Sequence, residues 1–162
     1  MSITTFNDLF VHALEDIYYA EQQIAKSLPK LVKAAGSPEL SKAFAKHLEE
    51  TKGQIERLKK VFTEVGVPAK GAKCPAIEGI LTEADELMSE IKDAEVRDAA
   101  LVSGAQAVEH YEITRYGTLI AWAEQLGLKD SVKLLKETLK EEEATDSALN
   151  KLAISRINKK AA

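Results

Sequence analysis

Four acidic residues stand where the periodicity of an amphipathic helix calls for Leu or Ile. Glu21 falls in the series Phe10, Leu14, Ile17, Glu21, Ile24, Leu28, Leu31. Glu112 falls in Leu101, Ala105, Val108, Glu112, Tyr116, Leu119, Ala123, and Glu142 and Asp146 fall in Val132, Leu135, Leu139, Glu142, Asp146, Leu149, Ala153. Alternating steps of three and four residues mark one face of a helix buried along its length. A further seam, Phe44, Leu48, Thr51, Ile55, Leu58, Phe62, has Glu50 and Gln54 beside it, four residues apart on one helical face, and Glu109 lies one turn before Glu112. Several ionised carboxylates buried together would cost many kcal/mol through desolvation and mutual repulsion. No basic residue lies on these seams to offset that cost. Two divalent cations, with four positive charges, would balance four carboxylates. Oxygen donors from Glu and Asp, with the amide oxygen of Gln54, suit iron first, or Mn or Mg, and disfavour a structural zinc site.

The elements that must position these residues follow from the punctuation. Gly36-Ser37-Pro38-Glu39 reads as a helix stop, an N-cap, a first-turn proline and an acidic first turn. Gly66 to Pro75 reads as a loop, and Gly127 with Asp130-Ser131 as a third break in which Asp130 caps the next helix. Four long helices are therefore expected at about 5–34, 38–65, 95–126 and 130–156, with a shorter one at about 76–91 in the connection. Pro29 should bend the first or loosen its last turn. No run shows the strict alternation of a strand. Short first and last turns with a long middle connection describe an all-α, ferritin-like four-helix bundle with a crossover, one domain over 1–162. Counting from the turns fixes heights: Glu21 lies 15 residues before Gly36 and Glu50 14 after it, while Glu112 and Glu142 each lie 15 from Gly127. At ~1.5 Å per residue, all four sit at a common level. The two hairpins form a weak internal repeat.

Composition agrees. The 162 residues are 45% hydrophobic and 30% charged, the balance of a folded domain. A net charge of −4 argues against a nucleic-acid partner, and the cations Lys151, Arg156, Lys159 and Lys160 suit the end of a last helix. The one cysteine, Cys74, permits no intrachain disulfide and is read as an inert loop residue in a reducing compartment. The start of the chain has no basic, apolar targeting pattern, and the longest uncharged apolar run, Tyr116 to Ala123, is too short to span a bilayer. A cytoplasmic protein with no membrane partner is expected. No nucleophilic triad, phosphate-binding glycine loop or Cys/His zinc pattern is present.

Tyr18-Tyr19-Ala20-Glu21, HLEETKGQIERL from His47, EVRDAAL from Glu95, VEHYEITRYGTL from Val108 and LLKETLKEEEATD ending at Asp146 together resemble the YciF/YciE family of bacterial stress-associated, ferritin-like proteins over essentially the whole chain. The resemblance implies a ferritin-like bundle, a two-metal site and a homodimer. One departure from di-iron carboxylate bundles stands out, since those carry Glu-x-x-His pairs. Here the residues three before His12, His47 and His110 are Leu9, Phe44 and Ala107. Oxygen ligands alone would leave the choice among iron, Mn and Mg open. His110 is expected on the surface; His47, one turn before Glu50, is either a hydrogen-bond partner of a metal ligand or a surface residue, the surface being the plainer reading. Tyr18 and Tyr116 lie about one turn from Glu21 and Glu112, where either could bond a carboxylate or carry an electron, although buried rings with satisfied hydroxyls are the plainer reading. Trp122 is read as a packing or dimer contact.

The function expected is a stress-associated protein with a dinuclear metal site reacting with peroxide or oxygen. Glu21 and Glu142 would be terminal ligands, Glu50 and Glu112 bridges, and Glu109 an additional ligand. The alternative is a non-enzymatic stress protein acting through protein contacts around a structural or vestigial site. Iron storage would require a closed cage.

Overall fold

The first helix, α1 (Phe6–Ala34), starts from a capping box in the computed structural model, which describes residues 3–162. The Thr5 hydroxyl accepts from the Asp8 N–H at 3.0 Å, and the Asp8 carboxylate accepts from the Thr5 N–H at 2.9 Å. The helix runs through Pro29 and ends before Gly36. In α2 (Pro38–Val65), Ser37 is the N-cap, Pro38 takes the first position, and Gly66 closes the far end at φ 79°. The connection then carries α3 (Pro75–Glu90), followed by α4 (Ala94–Gln125), whose N-cap Asp93 accepts from the N–H groups of Glu95 and Val96. No strand occurs among the described residues.

Helix α5 (Lys129–Leu152) corrects one expectation. Asp130 is not its N-cap, because the helix begins a residue earlier after Gly127 at φ 73°. The cap comes from another helix: the Glu64 carboxylate of α2 accepts from the Ser131 N–H at 2.6 Å, from the Ser131 hydroxyl and from the Asp130 N–H at 3.4 Å. Beyond Leu152 the chain widens into one π-helical turn, Ala153–Ile157, and ends in α6 (Asn158–Ala161). The wide turn leaves both Ala153 and Ile157 buried.

Helices α1 and α2 form one hairpin and α4 and α5 the other, with α2 packed on α5, α1 on α4, and α3 lying outside against α1 and α4. Polar links fix which ends meet. Asp98 near the start of α4 accepts from the N–H groups of Gly36 and Ser37, each at 2.7 Å, and Arg156 pairs with Glu39. The start of α4 and the end of α5 therefore sit beside the α1–α2 turn, while Glu64 and Ser131 meet at the opposite end. The connection from Gly66 to Asp93 must cross the length of the bundle. It begins that crossing pressed on α1: the Ala72 N–H donates to Glu15 O at 3.0 Å, and a Cβ on Gly71 would lie 3.0 Å from Tyr19 Cβ.

Asp98 is the sole side-chain acceptor for two backbone N–H groups at the closed end. Asp98→Ala should lower stability by about 1–3 kcal/mol through those unpaired donors, with Asp98→Asn recovering part of the loss. Urea unfolding monitored by circular dichroism measures both, and an unchanged midpoint in the alanine variant would contradict the latch.

Candidate metal centre

Each long helix carries its apolar face to mid-height and there replaces it with polar groups. On α1, Glu21 lies between buried Ile17 and Ile24 and is itself fully buried. On α4, Glu109 and Glu112 lie one turn apart between buried Val108 and Tyr116. The inner face of α2 runs Phe44, His47, Thr51, Gln54, Leu58, and that of α5 runs Ser131, Leu135, Thr138, Glu142, Thr145, Leu149. Both stripes alternate by three and four, but at every other position, His47, Gln54, Ser131, Thr138 and Thr145, they sit one residue from the seams expected from apolar content. Leu48, Ile55, Val132 and Leu139 are only half-buried.

That offset decides which predicted residues meet. Glu21, Gln54, Glu109, Glu112 and Glu142 come together in the core. Glu50 and Asp146 stand on the rim, each with a side chain 21% exposed. Glu50 pairs with Lys46 and accepts from the Thr145 hydroxyl at 3.4 Å, while Asp146 accepts from Gln106 at 3.0 Å and lies 3.2 Å from His110. His110 is exposed as expected. His47 is not a surface residue: it is 4% exposed and faces the acids. An imidazole therefore lies among the donors, where the sequence pattern offered oxygen atoms alone.

One donor atom from each of His47, Glu109, Glu112 and Glu142 lies within 4.8 Å of every other. His47 Nε2 is 3.0 Å from Glu109 Oε1 but poorly aligned for a hydrogen bond. The Tyr116 hydroxyl, fully buried, donates to Glu21 Oε1. Gln54 Nε2 donates to Glu142 Oε1 and, at 3.1 Å, to Glu141 Oε2. Glu141 is held in turn by Arg57 at 2.6 and 2.8 Å. Tyr18 makes no comparable approach and packs edge to face on Phe62 at 5.4 Å. Trp122 is half-buried and meets Phe6 in the same way at 5.7 Å. Cys74 is buried rather than loop-exposed, with Sγ 3.0 Å from the Tyr111 hydroxyl.

Burial sets the ionisation state of the cluster. It pushes Glu109 up to about 11, with Glu142 adding to the rise, and it raises Glu21 and Glu112, again reinforced by Glu142. Glu142 rises mainly by burial, and His47 falls to about 4 by burial and then by the nearby Lys46. His47 and Glu109 are thus a neutral pair at pH 7 rather than an ion pair, because desolvation penalises both charged forms.

The donor atoms remain unsatisfied even so. Glu21 Oε2, both nitrogens of His47, Gln54 Oε1, Glu109 Oε2, both oxygens of Glu112 and Glu142 Oε2 are buried without a hydrogen-bond partner, eight of the nine such side-chain atoms found among the described residues. Buried polar groups are normally paired. Eight orphans in one layer fit a site built to ligate a cation, and carboxylate with imidazole is a donor set that iron and manganese accept. Glu109-x-x-Glu112 also has the spacing of the Glu-x-x-His pair of di-iron bundles, with Glu in place of His.

The fold and this layer define a class: a four-helix bundle with a crossover helix and a buried carboxylate and histidine cluster able to hold metal. The family model described as "Domain of unknown function (DUF892)" matches residues 5–162, and the chain belongs to that family. It is 52% identical to Protein YciF of Escherichia coli over 162 residues, covering 99% of this chain and 98% of that protein. The crystal structure of YciF, described as an E. coli stress protein, superposes with a TM-score of 0.92 at 51% identity, covering 97% of this chain and 99% of that one. YcfI of Rhodopseudomonas palustris gives 0.90 at 56% identity, covering 92% and 95%. A Xanthomonas campestris protein at 19% identity and TM-score 0.75, covering 95% and 94%, shares the fold. No helix among the described residues is long and apolar enough to cross a membrane.

The sign of the pH dependence in metal-free protein follows. A carboxyl whose folded value lies above its usual 4.5 contributes stability that is full below 4.5 and is lost as pH rises through the folded value. His47 contributes stability that is full above 6.5 and is lost as pH falls toward 4. Above 6.5 only the carboxyl contribution changes. The chelated protein should therefore lose thermal stability between pH 7 and 9.5, and Glu112→Gln should flatten that slope. A wild-type melting temperature that stays level across the range would refute the protonated cluster.

Proposed function

We propose that this chain is a stress-associated bundle protein whose core binds two divalent metal ions, iron in the first place, and uses them on peroxide or dioxygen. The observation that carries the reading is the layer of eight unpartnered donor atoms between four helices. His47, Glu109, Glu112 and Glu142, mutually within 4.8 Å, would hold one ion. Glu21, with Gln54, would complete the second, and Glu112, with both oxygens free, is the residue best placed to serve both. Bound iron would supply the electrons that reduce such a substrate.

The protein's own contribution is preorganisation. Tyr116 holds one oxygen of Glu21 and leaves the other free. Arg57 fixes Glu141, Glu141 fixes the Gln54 amide, and Gln54 holds one oxygen of Glu142 while its own Oε1 stays open. Burial favours the protonated form of the carboxyls in the metal-free core, so binding would release protons to solvent and affinity should rise with pH. The rim acids Glu50 and Asp146, on the more polar α2 and α5 side, offer an approach for the ions. A homodimer is the assembly we favour, supported by exposed Phe6 packed on half-buried Trp122.

Protein purified anaerobically and loaded with Fe(II) should hold about two ions per chain by elemental analysis, the number that balances four carboxylates. The double variant Glu21→Ala/Glu142→Ala should hold far less. Sub-stoichiometric metal that is the same in both proteins would end this reading, while bound metal inert to peroxide would leave a structural ion in its place.

Binding should also release protons, roughly two per ion if all four carboxyls begin protonated. Titration calorimetry in buffers of differing ionisation enthalpy counts them. Uptake of metal with no proton release would show that the carboxyls were already ionised.

A further inference from the structure

We propose that the seam between α1, α3 and α4 is an apolar passage through which small uncharged molecules reach the His47 and Glu109 side of the core. The inference deepens the metal reading and rests on it only for what such a molecule meets on arrival. Two cavities carry it. The inner one, about 20 Å³, has His47 and Glu109 in its wall, together with Ile24 and Leu28. The outer one, about 30 Å³, extends past Ala84 and Met88 to the exposed carboxylate of Asp85. Ser27, Leu31, Leu81, Ala105 and Val108 line both, so these side chains form the partition that the two spaces share.

Size and lining set the class of molecule. A cavity needs ~10–15 Å³ of this kind of volume to hold one water, so each of these holds one or two such molecules and nothing larger without movement. The walls are aliphatic apart from Ser27 and the groups at the two ends. An ion would shed its hydration there with nothing to replace it, whereas a neutral molecule of two or three atoms would not. At the inner end, His47 is 4% exposed and both its ring nitrogens lack partners. The α2 and α5 side differs in kind, being lined by Lys46, Glu50, Gln54, Arg57 and Glu141. Ions and neutral ligands thus have separate approaches, and Ser27 and Leu81 set the bore for the neutral one.

Crystals of the purified protein held under xenon test the passage without reference to metal. Xenon density is expected between Leu31, Leu81 and Ala105, and Ser27→Leu should remove it. A second measurement uses nitric oxide as the neutral diatomic probe on Fe(II)-loaded protein under argon, followed by stopped-flow absorbance. Ser27→Leu should slow association by about tenfold, the effect of ~1.4 kcal/mol on a barrier, and Leu81→Ala, which widens the same bore, should speed it. Absence of xenon from the wild-type protein, or indistinguishable association in all three iron-loaded proteins, overturns the passage. Failure of the wild-type protein to take up iron overturns the metal reading instead, and the xenon map still decides the passage.

Discussion

Four carboxyl groups and an imidazole desolvated in one layer of a helical bundle lose hydration and crowd one another, and the surrounding helices must hold them there nonetheless. Polar contacts at the two ends of the bundle help to do so. Asp98 ties the start of α4 to the α1–α2 turn, and Glu64 caps α5 from the end of α2. Each link joins the two hairpins at one end of the bundle. With both ends tied, the middle layer cannot relieve its unfavourable contacts by sliding one hairpin along the other, and aliphatic layers such as Ile17, Phe44, Leu119 and Leu135 supply the burial that offsets its cost.

Within the layer, the hydrogen bonds are distributed unevenly and leave donor atoms open. Glu21 has one oxygen held by Tyr116 and Glu142 one held by Gln54, and in each the second oxygen is open. Glu112 has neither held by a group outside the carboxyl cluster. A cluster evolved only to be tolerated would pair its acids with nearby bases, as Arg57 and Glu141 do at the edge of the same layer. The nearest guanidinium is instead spent on Glu141, which steadies Gln54 and leaves the inner carboxyls without a cation.

How far this was legible in the sequence differs helix by helix. On α1 and α4 the inner acids are bracketed by apolar residues at steps of three and four, so Glu21 and Glu112 announce themselves as exceptions on a seam. Counting residues from Gly36 and Gly127 set their heights correctly because helical rise is a property of the backbone. On α2 and α5 the inner stripe is itself polar: His47, Thr51 and Gln54 on one, Ser131, Thr138 and Thr145 on the other. Leu48, Ile55, Val132 and Leu139 sit one residue away, about 100° around the helix, and draw a pattern based on apolar content toward them. That displacement is why His47 reads as a surface residue and Asp146 as a seam residue. Hydrophobic patterning fails where function replaces apolar groups, and the signal that could have corrected it was the unbroken 47, 51, 54 spacing of polar residues flanked by Phe44 and Leu58. The borrowed cap from Glu64 was equally hidden, since its donors lie 66 and 67 residues away along the chain.

The choice of His47 rather than a fifth acid has a physical rationale in charge balance. Metal-free, burial pushes Glu109 up to about 11, raises Glu21, Glu112 and Glu142, and holds the imidazole near 4, so desolvation favours the uncharged form of every group in the layer. On the proposed reading, two divalent ions in place of four protons would leave the layer uncharged as well, and the same bundle packing would serve both states. A carboxylate at position 47 would break that equality in one state or the other, leaving either a fifth proton to hold or an uncompensated negative charge at full burial. An imidazole adds a donor without adding a charge.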